Sequence, residues 1–338
     1  MKKSIFSLLL AICCSFSTAY AQSLIALLHN DTTTLFTTIP AAVTAAVSGD
    51  TIYIPGGSFP AFNIDKSLSI IGVGHNPDST VATGMTLISG HILMTNSNCD
   101  GSVFTGLRVN GNISPNGNDN DNVQVSRCFA NGIYADAAQG SENWTVSECI
   151  VGELVAYFNN SFMSNNLITS QMSSVVNCQI ENNIFLYGAY PLVTCNLSLV
   201  KNNIFYYITI NSSSNIENSL FNNNIWSSGN LSNGVFGNGN IGTGNIYDPN
   251  FDGLFDDFSY STYSGNMENL YQFDFHLVNP AYNTGGTDGT PIGIYGGTFP
   301  WKDGSLPFNP HILFKNIGNA TDGNGNLLIN IHVEAQDH

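Results

Sequence analysis

A hexapeptide that returns every 17 to 21 residues constrains this chain more than any other feature. Ile180-Glu-Asn-Asn-Ile-Phe185, Val200-Lys-Asn-Asn-Ile-Phe205 and Phe221-Asn-Asn-Asn-Ile-Trp226 are variants of one sequence, 20 and 21 residues apart. Met163-Ser-Asn-Asn-Leu-Ile168, Val146-Ser-Glu-Cys-Ile-Val151, Val125-Ser-Arg-Cys-Phe-Ala130 and Phe104-Thr-Gly-Leu-Arg-Val109 carry the register upstream. Its fourth position forms a column: Leu107, Cys128, Cys149, Asn166, Asn183, Asn203 and Asn224. The segments are short, β-branched and aromatic, and Asn, Gly and Ser separate them, which is the chemistry of strands and turns. A period near 20 residues without helical halves implies a solenoid in which equivalent residues stack about 4.8 Å apart. Stacked asparagines can then hydrogen-bond from coil to coil. First-position residues, Phe104, Val125, Val146, Met163, Ile180, Val200 and Phe221, are expected in the core.

This column resembles the internal asparagine ladder of the right-handed parallel β-helix superfamily, the pectate-lyase-like superfold, over residues 51–247. The leucine pattern of a leucine-rich horseshoe is missing. The resemblance implies an all-β, right-handed parallel β-helix. Ile39 to Val47, with Pro40 in its first turn and Gly49 as terminator, reads as a helix closing one end. The run Gly49–Gly57 followed by Asp65–Gly74 resembles the start of secreted β-helix proteins, including pectin-modifying enzymes. Asp248-Pro-Asn-Phe251, Asp274-Phe-His-Leu277, Asn279-Pro-Ala-Tyr282 and Pro291–Gly297 resemble a closing module of bacterial secreted β-helix proteins, with Asn279-Pro-Ala-Tyr282 where Ser-Pro-Ala-Ile is usual. The expected division is a signal peptide at 1–21, an N-terminal cap at 22–50, the β-helix at 51–247, the closing module at 248–300 and a C-terminal β-hairpin at 301–338. The fifth-position residues Ile150, Leu167, Ile184, Ile204 and Ile225 would leave an apolar stripe on the outside. The chain after residue 248, hairpin included, is expected to pack back over it.

Lys2 and Lys3, the apolar run Ile5 to Phe16 and Ala19-Tyr20-Ala21 make a secretory signal peptide, so the protein is expected outside the cytoplasm, secreted, periplasmic or at the cell surface. No later stretch is long and apolar enough for a membrane-spanning helix. The chain holds 24 acidic against 8 Lys and Arg residues, a net charge of −16, with only 9% of residues charged. That balance argues against nucleic acid and polyanionic glycans as partners. The five cysteines beyond the signal peptide, Cys99, Cys128, Cys149, Cys178 and Cys195, lack zinc spacing and read as small buried apolar residues.

Catalytic signatures of the β-helix enzymes are missing: there is no arginine motif of pectate lyases and no RIK-type motif of polygalacturonases. Arg108 and Arg127 are the only arginines of the mature chain. Arg127–Glu148 and Glu181–Lys201 are expected as exposed ion pairs between neighbouring coils, and Arg108 as a solvated side chain. Asp119 and Asp121, in an Asn/Asp/Gly run, offer hard oxygen ligands suited to calcium, as do Asp252, Asp256 and Asp257. His75, His91 and His276 show no ligand spacing. For binding, Tyr187, Tyr206 and Tyr207 recur just after the ladder turn and could stack on a neutral glycan, while Phe185, Phe205 and Trp226 are expected as an internal stack. The favoured reading is an exported, non-catalytic β-helix for surface attachment or neutral-glycan binding. The alternatives are a glycoside hydrolase or polysaccharide lyase with an acidic groove, calcium included, and a purely structural extracellular protein.

Overall fold

The computed structural model describes residues 24–335, apart from 136–140, 156, 187–190, 207–214, 227–237, 260 and 264. The signal peptide, Tyr187 and Tyr207 lie outside the described residues. The chain is a parallel β-helix, and its strands pair in the register of the hexapeptide. Phe104 pairs with Val125, Val125 with Val146, Val146 with Met163, Met163 with Ile180, Ile180 with Val200 and Val200 with Phe221. All seven are fully buried. After a tight turn the fifth positions form a second sheet, in which Phe129, Ile150, Leu167, Ile184, Ile204 and Ile225 stack in order. The sixth positions point inward: Phe205 lies face to face with Phe185 at 4.7 Å and with Trp226 at 3.9 Å.

Two residues make that turn. The third position takes the left-handed conformation, with φ of 48° at Arg127, 53° at Glu148 and 52–57° at Asn165, Asn182, Asn202 and Asn223. Asparagine suits it because its short polar side chain tolerates the left-handed region. The fourth-position asparagine is buried behind it. Asn203 Nδ2 donates to the carbonyls of Ile180 (2.8 Å) and Lys201 (2.9 Å) and to Asn224 Oδ1 (3.0 Å). Its own Oδ1 accepts from the backbone N–H and the side chain of Asn183. The ladder runs on to Asn245. Cys128 and Cys149 fill the column above; all five described cysteines are unpaired and buried. Burial pushes the Cys128 thiol up to about 12, so it is not a reactive thiolate.

A second ladder closes the other side of the first sheet. Trp144 N–H donates to Ser161 Oγ, Cys178 N–H to Ser198 Oγ, Ser198 N–H to Ser219 Oγ and Ser219 N–H to Asn240 Oδ1, at 2.9–3.1 Å. The residue before each rung is again left-handed: Asn143, Asn160, Asn177, Leu197, Asn218 and Gly239.

At the N-terminal end, the helix Ile39–Ala45 is capped by Thr38, whose hydroxyl accepts from Ala41 N–H. An antiparallel hairpin, Ile25–His29 with Thr32–Phe36, joins the first coil beside it. This hairpin has no counterpart in the sequence reading of the cap.

The apolar stripe is covered as expected, but by residues 251–306. Leu254, Phe255, Phe258, Leu270, Phe275, Leu277, Ile292 and Ile294 form one buried cluster with Phe129, Ile150, Leu167, Ile184, Ile204 and Ile225. The covering chain is laced to the left-handed column by side chains. Asn223 Nδ2 donates to Gly285 O, Asn202 pairs with Thr287 through both amide atoms, and Asn165 Nδ2 reaches Ile294 O and Gly296 O. Gly293 has a φ of 87° and lies so near Ile204 that a β-carbon would collide with it.

Two arginine expectations change. Arg127 and Glu148, expected as an exposed pair, are buried with Nε to Oε2 at 2.9 Å. Arg127 also donates to Leu306 O, and its guanidinium lies 3.5 Å from the ring centre of Phe308, so the lacing continues through them. Arg108, expected in solvent, is buried against Phe129 and paired with Glu268 of the closing segment. Glu181 and Lys201 stack as expected, at 2.7 Å, but are half-buried where an exposed pair was expected. The terminal hairpin, His311–Thr321 with Leu327–Glu334, is present, but only its root packs on the solenoid: His311 is buried and every residue of Leu327–Glu334 is exposed.

Candidate functional site

Three pieces of the closing segment meet over the stripe and leave a cleft of about 310 Å³. Backbone pairing of Phe255 with Leu277, and of Asp256 N–H with His276 O, holds residues 255–257 beside residues 274–277. A short 3-10 helix, Met267–Gln272, forms a second wall. The third is the returning strap, where Trp301 N–H bonds to Ile294 O and sets Tyr295 and Trp301 on the same side. The floor is solenoid: Ile150 and Leu167. Tyr271, Phe273, Tyr295 and Trp301 supply flat aromatic surface, and Asp257, Asp274, Asp303 and Gln272 supply polar atoms.

Hydrogen bonds fix the polar groups. Tyr295 donates to Asp303 Oδ1 at 2.9 Å, and its ring is stacked on His276 at 3.8 Å. Burial raises the Tyr295 phenol, and the charges of Asp303 and Asp274 raise it further, so it stays a donor. Asp274 Oδ1 accepts from the N–H of His276 at 2.8 Å and from its ring at 2.6 Å. Burial acts to raise the Asp274 carboxyl, but those bonds outweigh it and leave the group below the usual carboxylate range, hence ionised. Behind the wall, the Tyr271 hydroxyl sits 2.8 Å from Nδ1 of the fully buried His75 and donates to the His75 carbonyl. Burial, with Arg108 adding to it, holds His75 down to about 3, so a neutral imidazole anchors Tyr271.

The residues nominated from sequence are dispersed by comparison. Tyr206 is fully buried under Phe251, Phe255 and Phe258 and presents no face to a sugar. The row of tyrosines therefore does not form at that position: the coil that carries Tyr206 is roofed by the closing segment. Asp121 belongs to a structural column, its N–H donating to Asp100 Oδ1 and its own Oδ1 accepting from Glu142 N–H. Among the described residues no group of three or more His, Cys, Asp or Glu side chains is gathered as a metal ion requires. Asp257 alone of the acidic candidates lines the cleft. Tyr295 and Trp301 were missed. Both lie in or beside the run Pro291–Gly297, where the resemblance suggested capping and nothing more.

In comparisons with known proteins, no family model, no curated protein and no solved structure matched the chain. Among the described residues no helix is long and apolar enough to cross a membrane.

Proposed function

We propose that the protein is an exported, non-catalytic β-helix that binds a neutral glycan, and that the cleft of the closing segment is where it binds. The observation that carries this reading is the pairing of aromatic faces with fixed acceptors in one cleft: Tyr295 and Trp301 beside Asp303 and Asp274. A sugar ring offers a C–H face that packs on a flat aromatic side chain and hydroxyls that donate to carboxylates. The volume suits one or two sugar units, and a concave site with a few oriented polar groups beside aromatic side chains is a usual form of a small-ligand site. The net charge of −16 selects against uronates and sulfated chains. An array of neutral and anionic oligosaccharides tests it. Binding should fall on neutral members and drop at least tenfold in Trp301→Ala; binding confined to anionic glycans, or unchanged in that variant, would sink the proposal.

Three carboxylates around one cleft also support a second reading, a glycoside hydrolase. Asp274, held ionised, suits the nucleophile or base, and Asp257 or Asp303 would have to serve as the acid. Release of reducing ends from an oligosaccharide that binds, abolished in Asp274→Asn, would replace the first reading with this one.

A further inference from the structure

The terminal hairpin is the part of the molecule that the solenoid leaves without a partner. Ile317 pairs with Ile329 and Lys315 with Ile331, so these side chains share a face with Leu327 and Val333; Asn316, Asn330 and His332 occupy the other, with Phe314 and Leu328 as its two apolar side chains. Ile317, Leu327, Ile329, Ile331 and Val333 are each between 44% and 57% exposed. An isolated two-stranded ribbon is marginal in water and needs a further layer on its apolar face.

We propose that this layer is the same ribbon of a second copy, the two apolar faces packed together about a two-fold axis. Area is the first argument. The five aliphatic side chains expose on the order of 500 Å² per copy, and a two-fold pair would bury on the order of 1,000 Å², the lower limit for a specific interface. Charge is the second. Two copies at −16 each repel one another, and the apolar face carries no carboxylate; Lys315, on that face opposite Ile331, is the one charged side chain between Ile312 and Thr321. Geometry is the third. The stretch Pro307 to His311 lines one cavity with Leu24, Ala26 and Tyr53 of the first coils and with Ile71, Gly72 and Val73 of the next, and beyond that root every residue of Leu327–Glu334 is exposed. A two-fold contact of this kind is isologous and closed, and stops at the dimer.

Sedimentation equilibrium of the full chain over a hundredfold range of concentration is the test. The mass should rise from one copy to two. Ile329→Asp with Ile331→Asp should weaken association at least tenfold while leaving the unfolding transition of the solenoid in place. Asn330→Asp, on the opposite face, should leave association within about twofold of wild type. A chain that stays monomeric throughout overturns the proposal, and so does a dimer that survives the double substitution or is lost equally in Asn330→Asp. A monomer that floats with phosphatidylcholine vesicles, and ceases to after the double substitution, overturns it in favour of a membrane surface.

Discussion

The upper coils, residues 125–151, and the lower coils, residues 163–226, share one turn and fill it differently. In the lower coils both turn residues are asparagine. The outer one accepts the left-handed backbone and laces the strap, and the inner one joins its neighbours through both amide atoms. In the upper coils the inner residue is cysteine. Cys149 Sγ reaches Val125 O and Ser147 O, the same kind of carbonyl pair that Asn203 Nδ2 serves, but a thiol has no oxygen to receive the N–H of the coil before it. The outer residue there is Arg127 or Glu148, at a left-handed backbone that costs a side chain of this kind about 1–2 kcal/mol. The difference teaches that the fold needs a donor facing inward and a tether facing outward, and that two unlike chemistries meet both needs.

The largest effect expected from breaking this comparison is at the buried pair. Arg127→Met leaves the buried Glu148 carboxyl without its partner, and should cost about 3–5 kcal/mol, read as a lowered urea midpoint. Replacing both, Arg127→Asn with Glu148→Asn, writes the lower-coil solution into the upper coils and relieves the left-handed strain. That double variant should be within about 1 kcal/mol of wild type or more stable, because a buried ion pair gains little over well-packed alternatives. If it is as damaging as the single variant, the ion pair has no asparagine equivalent.

The second contrast is between ladders. Asn203→Ala removes one rung and strands the N–H of Asn183 and the carbonyls of Ile180 and Lys201, and should cost about 3 kcal/mol. Cys149→Ala gives up a weak donor and little volume, and about 1 kcal/mol is expected. Equal costs would mean that the asparagine ladder acts by packing alone.

Much of this was legible in the sequence. The hexapeptide specified the pairing register, the inward and outward positions and the internal stack of Phe185, Phe205 and Trp226, because a motif that recurs in every coil leaves the chain one way to stack. The second ladder was less visible. Its rungs at Trp144, Ser161, Cys178, Ser198, Ser219 and Asn240 share polarity poorly, although the asparagines at 143, 160, 177 and 218 that precede four of them are spaced like the repeat. The burial of Arg127, Glu148 and Tyr206 could not be read, since it depends on a closing segment far away in sequence, Phe251 to Phe258 for Tyr206 and Leu306 to Phe308 for Arg127. The same holds for the cleft. Asp274, Tyr295 and Trp301 meet only after the closing segment has folded over the stripe, and no period links them.

The smallest effect expected is in the pH dependence, and there the two regions should differ in sign. Burial raises the Glu148 carboxyl, and the opposing attraction of Arg127 does not cancel that. A raised carboxyl contributes most below its unfolded value, near about 4.3, and its contribution falls as pH climbs through the folded value. The advantage of the double variant, Arg127→Asn with Glu148→Asn, over wild type should therefore grow as pH rises from about 3 to 6. Asp274 is lowered, so what it contributes is present above an unfolded value near about 3.9 and is lost as pH falls through the folded one. His276→Ala removes the imidazole that helps lower it, and the deficit of that variant should shrink on acidification as Asp274 takes up a proton. Urea midpoints measured across this range for both variants decide the matter. Parallel trends would mean that the charge of one of these carboxylates is not set by the partners it has in the folded chain.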